Sequence, residues 1–142
     1  MAGRDVNVQM GLTSVDEVSF MMLPGKVTEN VQPGNIKLGF FNQVQPEVES
    51  DKIALIFGVR YELEDDKILE CVYRFEFRVN GLDRFITTHD KDGITVTYIM
   101  PLLINVAIGT MRGILVVKTA GTNLSKLPII DSVRLTQSLS NP

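Results

Sequence analysis

The chain has 142 residues, enough for a single domain over 1–142 whose core needs neither disulfides nor metals. Hydrophobic residues make up 44% and charged residues 22%, and the net charge is −3, so there is no basic field and no nucleic-acid partner is expected. One cysteine, Cys71, and one histidine, His89, exclude an intrachain disulfide and fall short of a metal site without several well-placed carboxylates, so neither metal nor cofactor is expected. The opening MAGRDVNVQMG lacks the apolar stretch of a secretory signal, which predicts a cytoplasmic product.

The first element is a strand within Thr13–Leu23, where Val18, Phe20 and Met22 alternate with polar or flexible neighbours. LPGKVTENVQPGN comes next, and its two Pro-Gly pairs mark a surface connection. A second strand, Ile36–Val48, turns Ile36, Leu38, Phe40, Val44 and Val48 to one side. It connects through Glu49-Ser50-Asp51-Lys52, with Val48 opposite Ile53. From Ile53 the odd positions read Ile53, Leu55, Phe57, Val59, Tyr61 and Leu63, with Arg60, Glu62 and Glu64 on the other face. Residues 68–79 repeat the pattern with Leu69, Cys71, Tyr73, Phe75, Phe77 and Val79 inward, after an Asp65-Asp66-Lys67 turn that sets Leu63 opposite Leu69. Parity therefore predicts an antiparallel meander of three strands, and leaves the place of the first strand open. These registers put Phe41, Arg60 and Val72 in one row on the outer face, with Ile56 nearby. That is a candidate binding patch, or else a phenyl ring covered by a cation–π contact from Arg60.

NGLDRFITTHDKDG, residues 80–93, begins and ends with turn signals, and Asp92 or Thr88 would cap a helix starting after Gly93. Gly93 to Met111 carries no formal charge and nearly reaches the length of a bilayer crossing. Thr95, Thr97, Pro101, Asn105 and Thr110 interrupt it and Arg112 ends it, so a buried helix is expected rather than a membrane span. Within Ile94–Lys118, Asn105 and Arg112 lie seven apart on nearly one meridian, leaving only a narrow polar stripe. Such a helix must be covered on two sides: one flank on the meander, the other on a second subunit, dimer or tetramer. Tyr98, Leu102, Val106, Gly109 and Gly113 are the candidate interface residues, the glycines permitting close backbone approach. Pro101 is tolerated if the helix proper starts near it, or as a kink, and β-branched Ile114–Val117 leave open whether the helix ends as extended chain. The fold class is α+β: a four-stranded antiparallel sheet with one long helix across one face.

No motif carries an activity, and an enzyme is not expected. His89 beside Asp90 and Asp92 reads as a polar turn, Cys71 as a small core hydrophobe, and the glycines lack the order of a phosphate-binding loop.

Several strings, in order, resemble the protein-export chaperone family SecB. VDEVSF at 15–20 is similar to that family's “DVSFE” strand, and QPEV at 45–48 to its “QPEV”. YIMPLLINVAIGTMRG resembles its long helix through Tyr98, Pro101, Arg112 and Gly113, and LPIID at 127–131 resembles the “LAPVNF” beyond that helix. The resemblance spans residues 13–135. It implies a dimer of dimers with the long helices sandwiched between sheets, and ATP-independent holding of unfolded or extended polypeptides in apolar grooves. It also implies delivery to the export motor ATPase SecA. Carried onto matching positions, Pro46, Val48, Leu127 and Pro128 become candidate groove residues. SecA docking would use an acidic outer sheet face, whereas here Arg60, Arg74 and Arg78 mix with Glu62 and Glu76. The alternative is a dedicated partner-binding module of the same fold, such as a toxin–antitoxin-associated chaperone or single-client adaptor.

Overall fold

The computed structural model describes residues 7–28, 32–89 and 93–126. Four long antiparallel strands form one sheet: β1 (Met10–Met22), β2 (Ile36–Glu47), β3 (Lys52–Leu63) and β4 (Asp66–Val79), in the order β1-β4-β3-β2. The meander β2-β3-β4 is the one that parity predicts, and β1 closes it against β4 in Greek-key order. A short hairpin, β5 (Ile86–His89) with β6 (Gly93–Val96), precedes the helix α1 (Met100–Thr119). The four-stranded antiparallel sheet with one long helix is thus the observed architecture.

The registers differ from those expected, each by two residues. Pro46, not Val48, faces Ile53, and Tyr61, not Leu63, faces Leu69. The cause lies in the turns. β3 and β4 join through Glu64 and Asp65 alone, both with positive φ (52° and 68°), a tighter connection than the expected Asp65-Asp66-Lys67. A bulge between Tyr61 and Glu62 absorbs the extra residue. Because both shifts are even, the side chains of the paired stretches keep their expected faces; Val48, expected to turn inward at the end of the second strand, instead opens the turn after it. β1 departs in another way: bulges near Thr13 and Val18 interrupt its pairing, so Val18 stands 55% exposed while Phe20 and Met22 turn toward the core.

The odd positions from Ile53 to Tyr61 and from Leu69 to Val79 form the core face, all buried except half-buried Tyr73, with Phe57, Phe75 and Phe77 fully covered. Each such side chain stabilises the fold by roughly 2–3 kcal/mol relative to exposure. The helix covers this face with Ile99, Leu103, Ile104, Ala107, Ile108, Met111 and Leu115. By length and composition α1 could cross a membrane, yet its buried face belongs to the same core as the sheet.

The helix begins later than the apolar run suggests, because β-branched Ile94 and Val96 pair with Thr88 and Ile86 across the small hairpin. Thr88 therefore lies in a strand and does not cap the helix; Asp92 lies outside the described residues. Ile99 occupies the cap without a side-chain bond, and Pro101 sits in the first turn, where a missing N–H is harmless. Just before it Tyr98 has φ 73°, with the Ile99 N–H donating to the Thr97 carbonyl at 2.8 Å, a strained three-residue turn. At the other end Ile114–Val117 remain helical, and Gly121, φ 80°, comes directly after the cap. Asp51 ties the far end of the sheet together. Its own φ is 56°, and its carboxylate accepts the N–H groups of Gly81 and Leu82 at 3.2 Å each.

Candidate binding surfaces on the helix and the sheet

One side of α1 carries Leu102, Val106, Gly109, Gly113 and Val116, spaced 4-3-4-3, the spacing of a helix–helix seam, with Val106 half-buried at its inner margin. Leu102 is 40% exposed, Val116 54%, and adjacent Val117 76%. Gly109 and Gly113 are exposed, and a Cβ added at either meets nothing within 4 Å. Packing inside the chain therefore does not require them, although each costs about 1 kcal/mol of helix stability relative to alanine. Asn105 and Arg112 flank the seam, also exposed. Tyr98 lies before the helix start, 60% exposed, its ring 6.3 Å from that of Phe85 at an interplanar angle of 27°.

Beside the C-terminal half of the helix lies a cavity of about 70 Å³, between Tyr61 and Leu69 of the sheet, Leu115, Val116 and Thr119 of the helix, and Leu124 of the turn beyond it. Burial, with a smaller contribution from Cys71, pushes the Tyr61 phenol up to about 12, so it stays neutral and presents a ring and a hydroxyl. The wall is otherwise apolar apart from Thr119 and Ser125, whose hydroxyls are committed to the Leu115 carbonyl at 2.7 Å and the Thr122 carbonyl at 2.8 Å. Such a recess accepts an apolar side chain.

A polar latch stands nearby. Lys118 Nζ lies 2.7 Å from Glu17 Oε1 and 4.3 Å from the centre of the Phe20 ring, and the Tyr73 hydroxyl donates to the same Glu17 oxygen at 2.9 Å. The hydrogen bond from Lys118 and then that from Tyr73 hold the Glu17 carboxyl below its ordinary value, and the Glu17 bond raises the Lys118 ammonium. The latch joins the last turn of the helix to edge strand β1. Sequence reading missed it, because Glu17 sits among apolar residues only after the bulge resets the face of β1.

On the outer face the observed row is Phe41–Gly58–Val72, with Ser19 beyond on β1. Arg60 is displaced from that row; it faces Gly39 and Glu70 and pairs with the Glu70 carboxylate at 3.9 Å instead of covering Phe41. Phe41 remains 39% exposed, Ile56 and Arg60 are half-buried, and Val72 is buried. Arg74 likewise meets Glu76 at 3.4 Å, so two carboxylates of this face carry cationic partners. Gly58 is the residue that sequence reading overlooked; a glycine amid β-branched and aromatic neighbours was its signal.

Of the candidate groove residues, Pro46 pairs with Ile53 and is half-buried, and Val48 opens the turn Val48–Ser50, 38% exposed. Both stand at the end of the sheet away from the cavity, since Tyr61 is eight residues along β3 from Ile53. Leu127 and Pro128 lie outside the described residues. Cys71 is buried, 3.5 Å from Met111 Sδ, and burial pushes its thiol up to about 11. It is a packing residue with no thiolate at neutral pH. Among the described residues no group of three or more His, Cys, Asp or Glu could hold a metal ion.

No protein-family model matches the chain, and no curated protein matches it in sequence. Among solved structures the chain is similar to a SecB-like chaperone of Mycobacterium tuberculosis in complex with a ChAD peptide from an antitoxin. The identity is 12% and the TM-score 0.45, with 85% of this chain and 86% of that chain covered.

Proposed function

We propose that this protein is a homo-oligomeric, ATP-independent binder of unfolded or extended polypeptide. The observation that carries the reading is the seam of α1: five small or apolar residues at helix-pairing spacing, two of them glycines that the chain's own packing does not use. A helix surface of that kind is stable in water when a second helix covers it, at about 25 cal/mol per Å2 of apolar area removed. Helix pairing leaves apolar surface free beside the seam, at the recess under Leu115 and Val116 and along half-covered β2, and non-directional burial there holds clients of varied sequence. The ordered sequence strings that resemble the SecB family support the same reading.

The partly neutralised outer face favours the dedicated form of this function, one partner or a few, over docking to SecA. Arg60 and Arg74 pair with Glu70 and Glu76 where an acidic dock would leave carboxylates free.

The test is aggregation of a heat-unfolded substrate protein, monitored by light scattering with and without this protein. Wild type suppresses aggregation at near-stoichiometric ratio and elutes as at least a dimer. Val116→Asp, on an exposed position, lowers the mass and weakens suppression. A wild-type monomer that neither suppresses aggregation nor binds an alkylated, unfolded test protein ends the proposal.

A further inference from the structure

Asn80-Gly81 is the only Asn-Gly pair in the chain. In such a pair the asparagine amide is open to attack by the next backbone nitrogen, because glycine has no side chain to hinder the approach. The pair stands where β4 ends, directly before the turn Leu82–Phe85, with Asn80 exposed. The fold requires the glycine: its φ is 68°, and a Cβ there would lie 2.8 Å from Arg84 Nε. The reaction open to the pair needs only water. The Gly81 nitrogen loses its proton to hydroxide and attacks Asn80 Cγ. The side-chain nitrogen leaves as ammonia, completed by a proton from water, and a cyclic imide forms. Water then opens the imide to aspartate or isoaspartate at position 80, so the net change is one water consumed and one ammonia released.

The folded chain opposes both halves of the first step. The Gly81 N–H donates to Asp51 Oδ2 at 3.2 Å, and the Leu82 N–H donates to Asp51 Oδ1 at the same distance. A carboxylate so placed keeps the proton on the nitrogen and repels the negative charge that its loss would leave there. Asp51 is itself fixed, since the Val79 N–H donates to its carbonyl at 2.8 Å. The asparagine amide is held from another side. Asn80 Nδ2 donates to Gln9 Oε1 at 2.8 Å, and the Asn80 N–H donates to the Gln9 carbonyl at 3.0 Å. Arg84 pins the linkage between them, Nη2 donating to the Asn80 carbonyl at 3.1 Å and Nε to the Gly81 carbonyl at 3.2 Å. Attack therefore waits on a local opening of the sheet end where β1, β4 and the Asp51 turn meet.

We propose that Asn80 is a deamidation site guarded by the Asp51 carboxylate, and that its conversion marks molecules in which this end of the sheet has opened. Both products add an anion one residue from the nitrogen that Asp51 holds. Isoaspartate also lengthens the main chain by one carbon, which pulls Gly81 out of line with Asp51. The mark thus keeps the β1 end loose after the opening has passed. The inference rests on the fold and is independent of polypeptide binding.

The experiment incubates the full chain in warm, mildly alkaline buffer and follows conversion at position 80 by peptide mapping and mass spectrometry. Wild type converts more slowly than the same chain held in denaturant. Asp51→Asn keeps a residue type that tolerates the left-handed backbone but removes the charge, and converts about tenfold faster than wild type. Gly58→Ala, which destabilises the sheet far from this corner, stays near the wild-type rate. Deamidated protein, separated by its added negative charge, exchanges the amide hydrogens of Met10–Leu12 faster than unmodified protein. The inference is overturned if Asp51→Asn converts at the wild-type rate. It is equally overturned if Gly58→Ala accelerates conversion as much as Asp51→Asn does, because global unfolding and not a local guard would then set the rate. Unchanged exchange at Met10–Leu12 also overturns it, since the mark would leave the end closed.

Discussion

The ring of Phe41 lies on Gly58: a Cβ at position 58 would stand 2.3 Å from Phe41 Cζ, closer than carbon atoms approach. The two face each other across β2 and β3, on the side of the sheet away from the helix. Gly58→Ala therefore forces the ring off the sheet and costs about 1–3 kcal/mol. In the double variant with Phe41→Ala most of that cost disappears, since the two substitutions share one contact. Chemical denaturation of the four proteins of the cycle measures the coupling; equal costs of Gly58→Ala with and without the ring would refute the contact.

The latch between Glu17 and Lys118 makes a pH-dependent contribution with a defined sign. Glu17 is held below its ordinary 4.5, so its stabilisation is complete above that pH and is lost as pH falls through the lowered value. Lys118 is raised above 10.5, so its stabilisation is complete below that pH and is lost as pH rises through the raised value. The stability advantage of wild type over Glu17→Gln is thus flat between the two and shrinks at both ends. Denaturation midpoints across the pH range check this, and a difference peaking at either extreme contradicts it.

Cys71 serves as an internal reporter of opening. With the thiol pushed up to about 11 and buried against Met111, labelling by a thiol reagent at pH 8 is at least about a thousandfold slower in the native protein than in denaturant. Met111→Ala costs roughly 2–5 kcal/mol and accelerates labelling by opening a cavity beside the sulfur. Fast native labelling would show that the helix does not cover this part of the sheet.

The β3–β4 turn stores strain that substitution releases. Glu64 and Asp65 both hold positive φ, a conformation that costs side chains with a Cβ but suits an Asn-Gly pair. The double substitution Glu64→Asn with Asp65→Gly raises stability by roughly 1 kcal/mol or more without altering the register. A fall in the thermal midpoint would argue against the two-residue turn.

Much of the fold was legible because side chains in a strand alternate with period two. Ile53 to Leu63 and Leu69 to Val79 declared their inner face, and even-numbered slips could not disturb it. For the same reason parity was blind to the register itself. Glu64 and Asp65 do not look like a two-residue turn, since neither is Gly or Asn, and only the closed sheet holds them there. The outer row was misread in consequence: Gly58 takes the place given to Arg60, and the ring of Phe41 finds a flat seat instead of a guanidinium.

The sequence by itself determined which residues are apolar, how they alternate, and that the helix has more apolar circumference than one sheet can cover. Tertiary structure alone decided that β1 joins β4, that bulges at Thr13 and Val18 turn Glu17 toward Lys118, and that β2 is left as the regular open edge. The division has a physical cause. Periodicity is a local property of the backbone, whereas strand order, register and exposed edges depend on which distant segments compete for the same hydrogen-bonding groups.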